Sequence, residues 1–199
     1  MKKFSNYEEI QAYTNGGEKL PAGGYVLKVE NVRYENGQNG NSDRIVLMFD
    51  IAEGDQKDFF RKQYESQTSE DKKWKGTIQI YVPKDDGSEQ DNWTKRRFKT
   101  IMEAFEASNG NYKWNWDEAS LKGKLIGGLF GEIGTVIDGK NITYVGFRFT
   151  ETVENIRTGN FKVPEFYSKG GAVSKPSGTG TKNDDFMKVS DSAKEEIPF

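Results

Sequence analysis

The sequence contains no cysteine and no histidine among its 199 residues. Without cysteine the chain has no disulfides, no thiolate zinc site and no cysteine nucleophile. Without histidine it lacks the commonest general base and the commonest metal ligand. These absences predict a protein that is not an enzyme and that needs no cofactor.

Long hydrophobic runs are also missing, since the chain has no stretch of roughly 18 apolar residues that would suit a membrane span. The positively charged start at residues 1–4 is not followed by the apolar core of a signal peptide. We therefore expect an intracellular protein with no membrane contact and a cytoplasmic location.

Neither sign of charge is in excess, because 29 basic and 31 acidic residues give a net charge of −2. Any nucleic-acid site must therefore come from local clustering of cations. The hydrophobic fraction of 34% is low, but 13% aromatic residues are enough for a core. With 22 glycines and only 5 prolines, the composition favours a turn-rich β protein.

Five segments have the sequence pattern of β-strands, and the almost continuous apolar run at 44–51 predicts a buried central strand. We predict strands over residues 25–34, 44–51, 77–82, 125–133 and 142–150. A phase slip of one residue near Glu30 predicts a β-bulge in the first strand. Asn36-Gly37 and Asn39-Gly40 predict a hairpin between the first two strands, and Asp138-Gly139 predicts a tight turn before the last.

One long helix is predicted between the third and fourth strands. Asp91 or Asn92 is expected to cap it, and the helix should end near Ser108, before Asn109-Gly110. Its apolar stripe consists of Phe98, Ile101, Met102 and Phe105. A shorter helix is expected over residues 5–13.

This layout predicts a mainly β protein with a five-stranded oligonucleotide/oligosaccharide-binding (OB) barrel, although other small barrels and sandwiches fit the same strand count. We expect an N-terminal helical extension at 1–19 and the barrel domain at 20–164. Residues 165–194, rich in glycine, serine, threonine and lysine after residue 170, are expected to be a flexible linker. A partner-binding tip is expected at 195–199.

The connection between the second and third strands, residues 53–75, mixes aromatic and basic side chains. A connection this long is usually functional or mobile. Aromatic rings stack on unpaired bases, and lysine or arginine neutralises the phosphates. The candidate DNA-binding residues lie in this connection and on the outward faces of the third and last strands. They are Trp74, Tyr81, Phe60, Tyr64, Arg61, Lys62, Lys72, Lys73, Lys75, Tyr144 and Arg148.

Several of these residues also have a purely structural interpretation. Trp74 and the Phe59-Phe60 pair would then pack the insertion onto the barrel, with one of the two phenylalanines in the core. On the last strand, Val145, Phe147 and Phe149 are expected to share one face, opposite Tyr144 and Arg148. The basic run at 95–99 could contact nucleic acid, but it is interpreted as the solvated face of the helix. The glycines at 127–131 are interpreted as sites of bending or close packing.

The last five residues suit capture by another protein. A pocket would hold the apolar side chains, and a basic group would bind the terminal carboxylate. The candidate partner-binding residues are Glu195, Glu196, Ile197, Pro198 and Phe199.

Four motifs carry a resemblance to a known family. They are Leu-Pro-Ala-Gly-Gly-Tyr at 20–25, Leu-Lys-Gly-Lys at 121–124, Ile-Arg-Thr-Gly-Asn-Phe-Lys-Val-Pro at 156–164 and the final Ile-Pro-Phe. In these the chain resembles single-stranded-DNA-binding proteins encoded by bacteriophages and prophages of Gram-positive bacteria. The resemblance implies an OB fold and sequence-independent binding of single-stranded DNA in replication or recombination, in the cytoplasm of the bacterial host. It also implies recruitment of replication and recombination proteins through the tip, and it leaves open whether the chain forms homo-oligomers.

Other classes of function remain as alternatives at this point. One is a β-barrel that binds proteins or glycans and has no nucleic-acid role, since exposed aromatic rings also stack on sugars. Another is a metal-dependent nuclease that uses aspartate and glutamate, which the absence of histidine disfavours.

Overall fold

The computed structural model describes residues 19–38 and 41–171. Its strands are β1 (Gly23–Glu35), β2 (Arg44–Ile51), β3 (Thr77–Tyr81), β4 (Leu125–Ile137), β5 (Lys140–Glu151) and β6 (Tyr167–Ser168). Its helices are α1 (Phe59–Glu65), α2 (Glu89–Ser108) and α3 (Val153–Thr158), with 3₁₀ turns at Glu118–Leu121 and Lys169–Gly171. The protein is mainly β, as the sequence predicts. The helix predicted at 5–13, the rest of the predicted linker and the tip at 195–199 lie outside the described residues.

One mixed sheet contains all the strands of the described ranges. Its order is β3-β2-β1-β4-β5, with antiparallel neighbours, and β6 pairs in parallel with β4. In this part of the chain no ladder joins β3 to β5, so the sheet is open. No helix among the same residues has the length and apolar character needed to cross a bilayer.

The sheet is strongly curled. In a flat sheet β2 and β5 would be about 14 Å apart, because neighbouring strands are about 4.8 Å apart. The rings of Phe49 on β2 and Phe147 on β5 nevertheless have centroids only 6.5 Å apart. Phe130 on β4 packs edge-on against both. The curl therefore encloses an aromatic core on the concave face.

The strand predictions are largely confirmed. The register of β1 against β2 shifts between Val29 and Asn31, so Glu30 is the extra residue of the predicted bulge. β2 has the predicted bounds, and β3 ends one residue before the predicted end. β4 and β5 are longer than predicted because their hairpin stays paired as far as Ile137 and Lys140.

Helix α2 begins earlier than the sequence analysis predicts. Its cap is Ser88, whose hydroxyl accepts a hydrogen bond from the Asp91 amide, so the assignment of the cap to Asp91 or Asn92 is wrong. The predicted stripe is confirmed, since Phe98, Ile101, Met102 and Phe105 are all buried. Through this stripe α2 packs against the core that the curled sheet encloses.

Helix α1 lies inside the insertion and was not predicted. Asp58 precedes it but makes no side-chain cap. Instead the buried carboxylate of Asp50 accepts hydrogen bonds from the amides of Phe60 at 2.9 Å and Arg61 at 3.0 Å. These are free amides of the first helical turn, so a residue of β2 supplies the missing cap.

After β5 the chain crosses the convex face of the sheet at glycines. A Cβ on Gly24 would lie 2.6 Å from the ring of Phe161, and one on Gly127 would lie 2.7 Å from the Glu151 carbonyl oxygen. The close packing predicted for residues 127–131 is therefore confirmed. The crossing brings the motifs at 20–25 and 156–164 into contact, and β6 extends ordered pairing into the segment predicted as linker.

Candidate nucleic-acid interface

The aromatic residues of the insertion face inward more than the sequence suggests. Phe60 is only 7% exposed and packs against Phe49 and Phe130, which removes it from the candidate stacking residues. Trp74 is half-buried, and its Nε1 donates to the carbonyl oxygens of Phe49 at 3.1 Å and Gly76 at 3.0 Å. The structural interpretation of Trp74 and of the phenylalanine pair is therefore the better one, with both Phe59 and Phe60 buried.

The cations of the insertion are exposed, and two of them, Lys72 and Lys73, contact neighbouring groups of the chain. Lys72 lies 5.8 Å from the ring centroid of Tyr64 and donates to the Glu65 carbonyl oxygen. Lys73 lies 3.3 Å from the carboxylate of Asp71. The exposed residues Arg61, Lys62 and Lys75 complete a basic surface.

Tyr144 and Arg148 lie on β5, but not in the predicted arrangement. The register of β4 against β5 shifts at Arg148, so Phe149 turns away from the core and is 53% exposed. The prediction that Phe149 shares the inner face with Val145 and Phe147 is wrong for this reason. The guanidinium of Arg148 lies 4.3 Å from the ring centroid of Tyr167, and burial lowers its pKa. This contact holds Arg148 against its own chain.

Tyr81 lies in a cleft that the other predicted residues do not line. The cleft has a volume of about 1070 Å³ and lies between the β1–β2 connection, the adjoining ends of β2 and β3, and the first half of α2. Its aromatic and cationic lining residues are Tyr81, Trp93, Phe98, Arg44, Lys84 and Arg97. Its amide lining residues are Asn36, Gln38, Asn41, Gln79 and Gln90.

Helix α2 supplies the wall that the sequence analysis missed. Trp93 is 43% exposed and Tyr81 39% exposed, so both rings are open to a ligand. The guanidinium of Arg97 lies 5.4 Å from the ring centroid of Trp93, one helical turn away. The sequence signal was the pair of Trp93 and Arg97 at i and i+4, of which only Arg97 belongs to the basic run interpreted as the solvated face of the helix.

The connection between β3 and α2 is held by one buried carboxylate. Asp91 Oδ1 accepts hydrogen bonds from the amides of Lys84 at 2.8 Å and Asp85 at 3.2 Å, and Oδ2 lies 2.9 Å from Lys95 Nζ. Lys95 lowers the pKa of Asp91, while Asp85 and Asp91 raise the pKa of Lys95 to about 12. This cluster fixes the start of α2 beside the end of β3, which sets the width of the cleft.

The opposite wall is fixed by Asp43. Its carboxylate accepts hydrogen bonds from the Tyr34 hydroxyl at 2.5 Å and from the Gly37 amide at 2.7 Å. The hydrogen bond from Tyr34 is the main cause of the lowered pKa of Asp43, and the hydrogen bond from the Gly37 amide lowers it further. The carboxylate is therefore occupied in shaping the β1–β2 connection.

The charge of the cleft differs from that of the whole chain. Three cations and one carboxylate, Glu35, line it. Glu35 lies 2.6 Å from Arg44 Nε and 2.7 Å from Arg33 Nε, and the hydrogen bond from Arg44 is the main cause of its lowered pKa. Arg97 forms no ion pair with a carboxylate of residues 19–38 or 41–171. Cations therefore outnumber carboxylates among the lining residues of the cleft, in a chain whose net charge is −2.

The predicted residues therefore form separate surfaces. Tyr81 and Thr77 occupy opposite ends of β3, about 13 Å apart at about 3.3 Å per residue. The insertion surface with Trp74 adjoins the Thr77 end, and the cleft adjoins the Tyr81 end. Only Tyr81 of the predicted set lies where aromatic rings and cations meet in one concave surface.

Neither the protein-family models nor the curated proteins give a match to this chain.

Proposed function

We propose that the protein binds single-stranded DNA without sequence preference, in replication or recombination, and that the cleft beside Tyr81 is the binding surface. The observation that carries the proposal is the lining of this cleft. Two exposed aromatic rings, Tyr81 and Trp93, lie beside three cations and a single carboxylate. Such a combination suits a strand whose bases stack on rings and whose phosphates contact cations.

We also propose that the sheet is of the OB type. Two features support this assignment. The single long helix between β3 and β4 packs on the core, and the curl brings the inner faces of β2 and β5 together at Phe49 and Phe147. OB barrels are commonly only partly closed, which is compatible with an open edge between β3 and β5.

Titration with oligo-dT, followed by tryptophan fluorescence, tests the proposal. We expect quenching that weakens as salt is added, because Trp93 lies in the cleft beside Arg97. Tyr81→Ala and Trp93→Ala should each weaken binding by about 1–3 kcal/mol, the usual contribution of one stacked base. Arg97→Ala should reduce the salt slope by about 0.7, the value for one phosphate contact on a single strand.

Arg96→Ala is the matched control for Arg97→Ala. Arg96 is exposed on the same helix, one residue away, but does not line the cleft. The proposal fails if the wild-type protein shows no quenching at low salt. The assignment of the cleft fails if Arg96→Ala and Arg97→Ala change the salt slope equally.

A glycan-binding function is the second candidate, and the five amide side chains of the cleft favour it. Amides hydrogen-bond hydroxyls, and aromatic rings stack on sugar faces. Arg44, Lys84 and Arg97 favour a polyanion instead. Competition between oligo-dT and neutral oligosaccharides separates the two, since only a glycan-binding protein would release oligo-dT to a neutral sugar.

We further propose that residues 195–199 recruit replication or recombination proteins. Apolar Ile197 and Phe199 flank Pro198, a pattern that suits capture in a pocket. Deleting residues 197–199 should leave the affinity for oligo-dT unchanged but abolish binding of replication proteins to the DNA complex. Equal recruitment by the shortened chain would refute this role.

A further inference from the structure

Trp116 lies in the loop between α2 and β4 and is 80% exposed. Its backbone has φ of +64°, a left-handed conformation that bulky residues rarely adopt. The loop therefore holds a large aromatic ring out of the core at a conformational cost.

Hydrogen bonds hold the loop in place both before and after Trp116 in the chain. The Trp114 amide donates to Glu106 Oε1 at 3.0 Å, and the hydroxyls of Tyr112 and Ser120 are 2.9 Å apart. Asp117 accepts a hydrogen bond from the Ala119 amide and caps the following 3₁₀ turn. Trp116 is thus presented by a well-anchored segment.

The ring of Trp116 adjoins the cleft through Phe98. The two rings are nearly parallel, with an interplanar angle of 12° and centroids 6.3 Å apart. Phe98 itself lines the cleft together with Trp93 and Tyr81. Phe98 is only 7% exposed, so Trp116 and the cleft lie on either side of one packed ring, and the indole is next to the cleft.

We propose that Trp116 is a stacking subsite for a nucleobase, and that it extends the strand-binding surface beyond the cleft. This inference rests on the proposed binding of single-stranded DNA. The base would lie on the exposed face of the indole. The phosphates of the bound strand would lie toward Arg97 and not toward the loop, because Asp117 and Glu118 of the loop would repel them.

Binding of labelled oligo-dT of two lengths tests the subsite. We choose about 4 and about 16 nucleotides, which span the site sizes of single OB folds. Trp116→Ala should weaken binding of the longer strand roughly 5- to 150-fold, the equivalent of one stacked base, and leave the shorter strand unaffected. Trp116→Phe should retain most of the affinity, because it keeps an aromatic face.

A second measurement separates the loss of the Trp116 ring from a general weakening of binding by the variant. Abasic positions are placed one at a time along the longer strand, and each is measured against the wild-type protein and Trp116→Ala. One position should weaken binding to the wild type but not to the variant, because the base and the ring then belong to the same interaction.

The outcomes separate the subsite from the proposed function. If the wild-type protein binds neither strand, single-stranded DNA binding itself is wrong. If both strands bind, Trp93→Ala weakens them, and no abasic position loses its effect in Trp116→Ala, the cleft stands and the subsite is refuted.

Discussion

At the scale of single residues, Asp50 connects β2 to the start of α1 through its buried carboxylate. Its buried carboxylate accepts hydrogen bonds from three amides, those of Ile51, Phe60 and Arg61. We expect Asp50→Ala to lower the free energy of unfolding by about 1–3 kcal/mol, because buried amides at the start of α1 lose their acceptor. Urea unfolding measures this change.

Asp55→Ala is the control for this prediction. Asp55 is exposed in the connection that precedes α1, so its removal should change stability by no more than about 0.5 kcal/mol. If the two variants are equally stable, the carboxylate of Asp50 does not hold α1 in place.

The roles of single residues were the hardest to predict from the sequence. Asp50 occurs in an apolar strand, and its partners follow ten and eleven residues later in a helix too short to give a periodic signal. Alternation along β5 predicts that Phe149 faces the core with Val145 and Phe147. The register shift at Arg148 turns Phe149 to the other face, and nothing in the sequence marks that shift. Trp93 was not among the predicted residues, because a helix that starts at 91 or 92 places it in the first turn. The observed helix starts at Glu89, so Trp93 and Arg97 lie one turn apart within it.

At the scale of elements, the joint between β3 and α2 depends on the ionised carboxylate of Asp91. Because Lys95 lowers the pKa of Asp91 in the folded state, its stabilising effect is complete above the ordinary aspartate pKa of about 3.9. It is lost as the pH falls through the lower, folded pKa. Lys95, with a pKa raised to about 12, stays charged throughout this range.

We therefore expect Asp91→Asn to be less stable than the wild type at pH 7 and pH 5 by the same amount. Below about pH 4 the difference should begin to shrink, because Asp91 of the unfolded wild-type chain then takes up a proton, and the charge-dependent part should be lost once the pH falls through the lower, folded pKa. Chemical unfolding of the pair between pH 7 and pH 2 measures it. A difference that is constant down to pH 2 would show that the charge of Asp91 contributes nothing to the joint.

The elements themselves were largely predictable. The strands β1 and β3 and the stripe of α2 follow from periodicity, since each buries one face, and the bulge at Glu30 follows from the phase slip in β1. Strand β2 follows from its almost continuous apolar run, which is buried on both faces. Helices α1 and α3 were missed because each has only six or seven residues and depends on tertiary contacts. The pairing of β6 with β4 spans more than 30 residues and has no local signal.

At the scale of the whole molecule, the open sheet predicts an uneven pattern of amide exchange. β1 is paired on both sides, with β2 and β4, while β3 and β5 each leave one edge without a ladder in the described residues. We expect the slowest hydrogen exchange around Leu27, which is paired with both Ile51 and Ile126. Exchange should be fast at the outward amides of β3 and β5. Strong protection along both edges would instead mean that the barrel is closed in solution.

The crossing of the chain over Gly127 limits how far related sequences can diverge. A methyl group there would meet the carbonyl oxygens of Glu151 and Thr152 at 2.7 and 2.8 Å. Because these are backbone atoms, no substitution of a neighbouring residue can remove them. A homologue that replaces Gly127 must therefore also reroute the chain that leads into α3. The cleft has the same steric bar at Gly37, where a methyl group would meet the Asn41 carbonyl oxygen. Its other lining residues contribute side chains, so the ligand preference of the cleft can change in a descendant sequence while both backbone contacts stay as they are.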